Sequence, residues 1–183
     1  MGCEEVFYRK DETCSEDMDV EVNPPTGDYE HVLARRITYW PAPSKREPPS
    51  WAFDLQMEDS DLHELVSEMY TALNNNARIL AAIGLRTVFD RASEKLGVDP
   101  ALGFDEKLNA LEQMGKIGRS ERETLEVLTD AGGAAAHRGW KPTINQLDTL
   151  MTVGEQFLYR TIILEREAKA LKAKIPPRQK RKK

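Results

Sequence analysis

The chain has 183 residues, 40% hydrophobic and 31% charged, with a formal net charge of -5 at neutral pH. This length fits one well-packed core, since a domain holds roughly 150 residues. No apolar run reaches the roughly 18 residues of a membrane helix, and no signal-peptide pattern opens the chain, so we expect no membrane partner. Cys3 and Cys14 are too few for a disulfide framework, which favours a cytoplasmic location.

Residues 1–50 differ in composition from the rest of the chain. Three segments rich in β-branched and aromatic side chains, residues 6–8, 20–22 and 31–40, predict a small antiparallel β-ribbon, with a turn at residues 23–27. Proline-rich residues 41–49 predict an extended linker, because proline fixes φ and disfavours helix before it. The first 30 residues are also strongly acidic, with ten Asp and Glu against two basic residues.

Residues 51–173 show helical periodicity throughout. Asp59, Ser60 and Asp61 offer N-cap oxygens before a first helix with apolar residues at 3–4 spacing. A second helix over residues 77–96 is apolar on two faces, which is typical of the central helix of a bundle. A third helix covers residues 104–114 and is closed by Gly115.

Two capping boxes mark the last two predicted helices. Ser120 and Glu123 are expected to open the fourth helix, which Gly139 stops. Thr143 and Gln146 are expected to open a long fifth helix whose core spacing runs to Ile162. The sequence therefore predicts a mainly α protein, an up-and-down bundle of about five helices with a small N-terminal β-ribbon.

The fourth helix contains the most unusual segment of the chain, Gly-Gly-Ala-Ala-Ala-His at residues 132–137. Paired glycines cost a helix roughly 1 kcal/mol each relative to alanine, so another helix or a ligand is expected to approach this backbone closely. Asp130 and His137 lie on one face at helical spacing, and His137 falls in the last turn, where the helix dipole favours an imidazolium. His137 is thus a candidate acid or base on a phosphodiester, or else a buried histidine that orders the helix end.

Arg86 is the second candidate site residue. It falls in register with Ile79, Ile83 and Phe89, which predicts that its stem points into the bundle. An unpaired buried charge is very costly, so a partner is expected, either the Asp130 carboxylate or a bound phosphate.

The C-terminal ten residues hold six basic side chains and no acidic one. Such a tail either binds nucleic acid or an acidic partner, or is a solvated terminus. The candidate nucleic-acid-binding residues are Arg138, Arg178, Lys180, Arg181, Lys182 and Lys183. No metal site or cofactor is predicted, because Cys3, Cys14 and His31 match no zinc spacing and no P-loop or dinucleotide fingerprint is present.

Three segments together resemble a known family. The run from Ala81 to Asp90 around Arg86, the Gly-Gly-Ala-Ala-Ala-His segment and Tyr39-Trp40-Pro41 resemble the bacterial family DUF4145, over roughly residues 37–165. That family is similar to the HEPN superfamily of helical bundles, found in toxins and defence systems. Many relatives carry a zinc ribbon before the bundle, and residues 1–50 resemble a degenerate version of it that lacks most of the ligands.

The resemblance implies either a scaffold or a ribonuclease. Active HEPN ribonucleases dimerise and combine an Arg-x(4–6)-His motif from each subunit. His137 matches the motif histidine, whereas the positions for its arginine hold Asp130, Ala131 and Gly132. The leading interpretation is a homodimeric, non-catalytic or weakly active interaction module with a protein partner in a defence or stress system. The alternatives are a metal-independent ribonuclease using His137 with Arg86 or Arg138, and a nucleic-acid-binding adaptor acting through the tail.

Overall fold

A computed structural model describes residues 8–22, 27–40 and 46–176 of the chain. The chain divides into two compact units, residues 1–45 and 46–183. The first contains the β-ribbon and the second the helices. Residues 46–50, which fall within the predicted N-terminal region, are part of the helical unit.

The predicted ribbon is confirmed, and its two strands are longer than the predicted segments. Strand β1 (Tyr8–Val22) pairs antiparallel with β2 (Tyr29–Trp40), with a register shift between Thr13 and Met18. The charged part of β1 also pairs with β2, and there the Asp11 carboxylate accepts a 2.7 Å hydrogen bond from Nε of Arg35 across the ribbon. Residues 6–7 and most of the predicted turn, residues 23–26, lie outside the described residues.

The mainly α bundle is also confirmed. Its elements are a 3₁₀ turn (Ser50–Asp54), α1 (Leu55–Glu58), α2 (Ser60–Asn74), α3 (Arg78–Lys95), α4 (Phe104–Gln113), α5 (Arg119–His137), α6 (Ile144–Leu158), a π-helical turn (Tyr159–Leu164) and α7 (Glu165–Lys174). The predicted long fifth helix corresponds to α6 and continues through the π-helical turn and α7 to Lys174, beyond Ile162 of its core spacing. Across the described residues, no helix has the length and apolarity needed to cross a membrane.

Helix boundaries follow local capping, with one correction. The Asp59 carboxylate accepts a 3.0 Å hydrogen bond from the Leu62 N–H, and Thr143 and Gln146 form the predicted reciprocal box. The predicted box at Ser120 is wrong. Helix α5 begins earlier, with Gly118 as N-cap, and the Gly118 N–H donates to Glu121 over 3.4 Å.

Helix α3 is the centre of the bundle, as its all-round apolar pattern predicts. It packs against α2, α4, α5 and α6. Its Phe89 ring lies 6.2 Å from Phe104 of α4 and 5.4 Å from Phe157 of α6, centroid to centroid. The close packing of α3 on α5 determines what the predicted site becomes.

Candidate functional site: the two faces of helix α5

The inner face of α5 meets Arg86 of α3 at the paired glycines. A Cβ added to Gly132 would lie 2.5 Å from Cβ of Arg86 and 3.0 Å from the Ala82 carbonyl oxygen. A Cβ added to Gly133 would overlap Nη1 of Arg86. The two glycines therefore leave the space in which the Arg86 side chain crosses α5, and the close approach predicted for this segment is an intramolecular helix contact.

The guanidinium of Arg86 is held by an aromatic ring. It is partly buried, and its Cζ lies 3.8 Å from the centroid of the Phe104 ring. Among the residues that the structure describes, no hydrogen bond or ion pair to Arg86 is found. The predicted pairing with Asp130 is wrong, because Asp130 lies on the opposite, exposed face of α5. A cation over an aromatic face is stabilised by the ring quadrupole, by roughly 0.5–2 kcal/mol.

The outer face of α5 carries an open apolar strip between two charges. We call it the α5 outer face and define it by the residues that line a shallow groove of about 590 Å³: Val127, Asp130, Ala131, Ala134, Arg138 and Trp140. Val127 is 62% exposed. Asp130 and Arg138 form an exposed ion pair with a 3.0 Å separation between Oδ1 and Nη2.

The end of α5 brings Trp140 into this face. Gly139 adopts a left-handed φ of +65°, which ends the helix as predicted. The chain then folds back, so that the Trp140 N–H donates to the Ala134 carbonyl over 3.1 Å. This local geometry places an aromatic side chain at one end of a strip of small residues.

His137 is exposed in the last turn of α5, so the alternative of a buried, structure-ordering histidine is wrong. The described residues show no hydrogen bond or ion pair to its imidazole. The neighbouring Arg138 is engaged by Asp130. The other candidate nucleic-acid-binding residues, Arg178, Lys180, Arg181, Lys182 and Lys183, lie outside the described residues.

Of the three residues considered as zinc ligands in the sequence, the structure describes Cys14 and His31. Across the described part of the chain, no group of three or more His, Cys, Asp or Glu side chains is placed to hold a metal ion. Cys14 is free and exposed, and Cys3 is outside the described residues.

A partly buried polar cluster, which the sequence does not indicate, fixes the start of the helical unit. Arg46 donates from Nε and Nη2 to the two carboxylate oxygens of Glu155, over 2.9 and 2.7 Å. The same carboxylate accepts from the Tyr70 hydroxyl, and Arg46 also pairs with Asp148. Because 109 residues separate Arg46 from Glu155, no local pattern predicts this contact.

Burial and the hydrogen bond to Glu155 both raise the pKa of the Tyr70 hydroxyl. The Glu155 carboxylate and the other acceptors around Arg46 raise the pKa of its guanidinium despite its partial burial. The cluster thus consists of a permanent cation, a shared carboxylate and a neutral phenol. It ties the segment before the 3₁₀ turn to α2 and α6.

These features define the class of protein as a mainly α bundle with an N-terminal β-ribbon, built on a central helix that packs closely against a diglycine helix. The chain belongs to the family described as domain of unknown function DUF4145, whose model matches residues 67–174. The match contains Arg86, both glycines and the α5 outer face. No curated protein and no solved structure matches the chain.

Proposed function

We propose that this protein is a homodimeric interaction module that pairs through the α5 outer face. In this proposal it is a HEPN-like cytoplasmic bundle of a bacterial defence or stress system, and it is non-catalytic or only weakly active. The observation that supports the proposal is the self-complementary order of charges along α5. Asp130 and Arg138 lie at equal distances, four residues, on either side of Ala134.

This symmetry suits a twofold axis. In a twofold dimer the same patch of both subunits forms the interface. A residue that precedes the axis residue in one helix therefore faces the residue that follows it by the same number of positions in the partner helix. If two α5 helices cross antiparallel at Ala134, Asp130 lies opposite the partner's Arg138, and Arg138 opposite the partner's Asp130. Both ion pairs would then form between subunits.

The apolar part of the face fits the same arrangement. Ala131 and Ala134 are small enough to let two helix backbones approach closely, and they lie between Val127 and Trp140. Exposed apolar surface of this kind marks interaction sites, and an aromatic residue beside it is a common binding anchor. The charges at the ends then set the register more than the affinity.

A scaffold is favoured over a ribonuclease by the positions of the two candidate arginines. Arg86 packs on the inner side of α5 against the glycines and Phe104. The Asp130 carboxylate neutralises Arg138 across a 3.0 Å contact. Arg138 also donates a 3.2 Å hydrogen bond to the backbone carbonyl oxygen of Asp130. Neither arginine is therefore placed as an unpaired cation that could bind a phosphate beside His137.

Sedimentation velocity of three forms of the full chain tests the proposal. We expect the wild type to be a dimer, and Ala134→Arg, which places a large charge at the axis, to be a monomer. The matched control is Ala136→Arg, because Ala136 is exposed on the same helix but does not line the groove. A wild type that stays monomeric at tens of micromolar, or an Ala134→Arg variant that dimerises like Ala136→Arg, would overturn the proposal.

A further inference from the structure

We propose that helix α7, together with the basic residues that follow it, binds the surface of an anionic lipid membrane. In this proposal the helix lies along the surface, with an apolar stripe at the acyl boundary and lysines at the headgroups. The expectation of no membrane partner rests on the lack of a spanning segment, which a helix in this position does not need. The inference concerns a different surface from the α5 outer face and does not depend on the dimer.

Helix α7 leaves the bundle after its first turn. Glu165 pairs with Lys116 at 2.7 Å, and Arg166 pairs with Asp54 at 2.9 Å, so these two residues hold the start of the helix on the bundle. Every residue from 167 to 176 is exposed, and no residue of α7 is buried. A helical segment of this length is marginal by itself and depends on packing of an apolar face. The free part of α7 has no such packing within the helical unit.

One side of α7 is apolar and open. Four apolar residues follow each other at intervals of four, three and four positions, which places them on one side of the helix: Leu164, Ala168, Leu171 and Ile175. We call these four residues the α7 apolar stripe; Leu171 is 61% exposed and Ile175 60%. With the rotation of an α-helix, the stripe is centred about 140° from Glu165 and Arg166. It therefore faces away from the bundle.

Lysines flank the α7 apolar stripe on both sides. By the same rotation, Lys172 lies about 70° to one side of its centre and Lys174 about 90° to the other. Neither lysine has an ion-pair partner among the residues that the structure describes, whereas Lys169 pairs with Glu165 at 2.8 Å. A lysine beside apolar surface keeps its stem on that surface while its ammonium reaches the polar side. This arrangement is typical of helices that lie in a membrane interface.

The charge of the sequence around the stripe selects an anionic surface. Residues 168–183 contain eight lysine and arginine residues and no acidic one, although the whole chain has a net charge of -5. Basic clusters of about this size on or beside an amphipathic helix are attracted to the anionic lipids of a membrane surface. The basic stretch and the α7 apolar stripe overlap along the chain, so both act on the same surface.

The α7 apolar stripe also distinguishes lipid from nucleic acid. Phosphates of RNA or DNA pair with lysine and arginine, but they leave exposed leucine and isoleucine side chains in water. A lipid surface provides anionic headgroups and, directly beneath them, an apolar phase for the same side chains. Only the lipid surface thus accounts for Leu171 and Ile175 between the lysines.

Co-sedimentation of the full chain with vesicles tests this inference. One set of vesicles contains phosphatidylcholine alone, and the other contains phosphatidylcholine mixed with phosphatidylserine. We expect at least tenfold tighter binding to the mixed vesicles, weakening with added salt. Equal binding to both sets, or no binding to either, would overturn the inference.

A neutral double variant tests the apolar contribution. Leu171→Ser with Ile175→Ser keeps every charge, and we expect it to weaken binding to the mixed vesicles at least tenfold. The matched control is Leu80→Ser with Ile144→Ser, which alters two exposed apolar residues on other helices and should leave binding unchanged. Circular dichroism establishes that both variants keep their helices. If the stripe variant binds the mixed vesicles like its control, the stripe does not enter the lipid.

A charge-reversal pair tests the role of the flanking lysines. We expect Lys172→Glu with Lys174→Glu to weaken binding to the mixed vesicles at least tenfold. Arg119→Glu with Lys141→Glu changes the net charge by the same amount at exposed positions outside α7, and it should have little effect. An equal loss in both variants would reduce the effect to net charge and contradict a site on α7.

A labelled RNA oligonucleotide in the same buffer tests the competing partner. Any RNA binding should be insensitive to Leu171→Ser with Ile175→Ser, because phosphates make no use of the α7 apolar stripe. RNA binding by a chain that does not bind the mixed vesicles would assign the basic residues to nucleic acid and overturn the inference.

Discussion

Gly132 on α5 packs directly against Arg86 on α3. A Cβ added to the glycine would lie only 2.5 Å from Cβ of the arginine. The two helices approach each other at this point more closely than any side chain on residue 132 permits. The paired glycines are therefore a packing feature of the monomer. This leaves the opposite face of α5 as the surface available to a partner.

The two glycines are expected to respond differently to alanine. Gly132→Ala brings a methyl group against Arg86 Cβ and a backbone carbonyl, neither of which is the flexible end of a side chain, so we expect a loss of about 1–3 kcal/mol. Gly133→Ala meets only the far end of the Arg86 side chain, whose displacement offsets the gain in helix propensity, and we expect a change near zero. Urea unfolding monitored by circular dichroism measures both.

An Arg86→Ala background provides the control for this pair. Gly133→Ala should then stabilise the protein by about 1 kcal/mol, its helix-propensity gain, because the guanidinium is gone. Gly132→Ala should remain destabilising, because alanine keeps the Cβ that it meets. If the Arg86→Ala background makes both substitutions equally harmless, the contact is not the one described.

The Arg46–Glu155–Tyr70 cluster predicts an anomalous tyrosine titration. Burial and the bond to Glu155 raise the pKa of Tyr70, so this residue should ionise after the ordinary tyrosines, which titrate near pH 10. Glu155→Gln should bring its pKa closer to 10. Absorbance at 295 nm follows the ionisation, and Tyr70→Phe identifies the late step. A wild type in which no tyrosine titrates late would contradict the cluster.

The same shift has a consequence for stability. Because the folded-state pKa of Tyr70 is raised, its stabilising contribution is complete below about pH 10 and is lost as the pH rises above it. Free energies of unfolding at pH 9 and pH 11 should therefore fall more for the wild type than for Tyr70→Phe. An equal fall in both proteins would show that Tyr70 is not the group responsible.

Asp59 predicts a pH dependence of the opposite sign. Burial alone would raise its pKa, but the Leu62 N–H and the Arg91 guanidinium, 3.0 Å away, outweigh burial and hold the pKa below its ordinary value. The stabilisation is therefore present above about pH 4 and is lost as the pH falls. Asp59→Asn should be less stable than the wild type at pH 7 and nearly equal to it near pH 2.5, measured by urea unfolding. A gap that stays constant with pH would contradict this.

The site geometry also gives an expectation for RNA. We expect the purified protein not to cleave labelled tRNA or mRNA, with or without EDTA, because Arg86 packs inside the bundle and Arg138 is neutralised by Asp130. His137→Ala is the matched control. EDTA-resistant cleavage that His137→Ala abolishes would favour the ribonuclease over the scaffold.

The parts of this structure that sequence predicts are those with local or periodic signals. Alternating residues predict the ribbon, 3–4 spacing predicts the bundle, and polar side chains before apolar runs predict the caps at Asp59 and Thr143. The capping box of α5 was misplaced because Gly118 has no side-chain oxygen to reveal it as an N-cap. The glycines revealed a close approach but not the residue that makes it.

Contacts between distant side chains had no comparable signal. Arg46 lies in a proline-rich segment that resembles a linker, and only the fold brings it to Glu155. Arg86 was expected to require an anion, but an aromatic ring from α4 provides its main contact. The exposed position of Asp130 follows from the rotation of α5 in the bundle, which sequence spacing alone leaves open.

The dimer of α5 outer faces is tested most directly by mixing two charge-reversal variants, D130R and R138D. Each variant alone places like charges across the twofold axis and should sediment as a monomer. An equimolar mixture makes every cross-axis pair attractive, so it should form a heterodimer. Arg119→Asp, at a highly exposed position on the same helix, should leave the wild-type dimer intact. A mixture that stays monomeric, or single variants that dimerise like the wild type, would contradict the account.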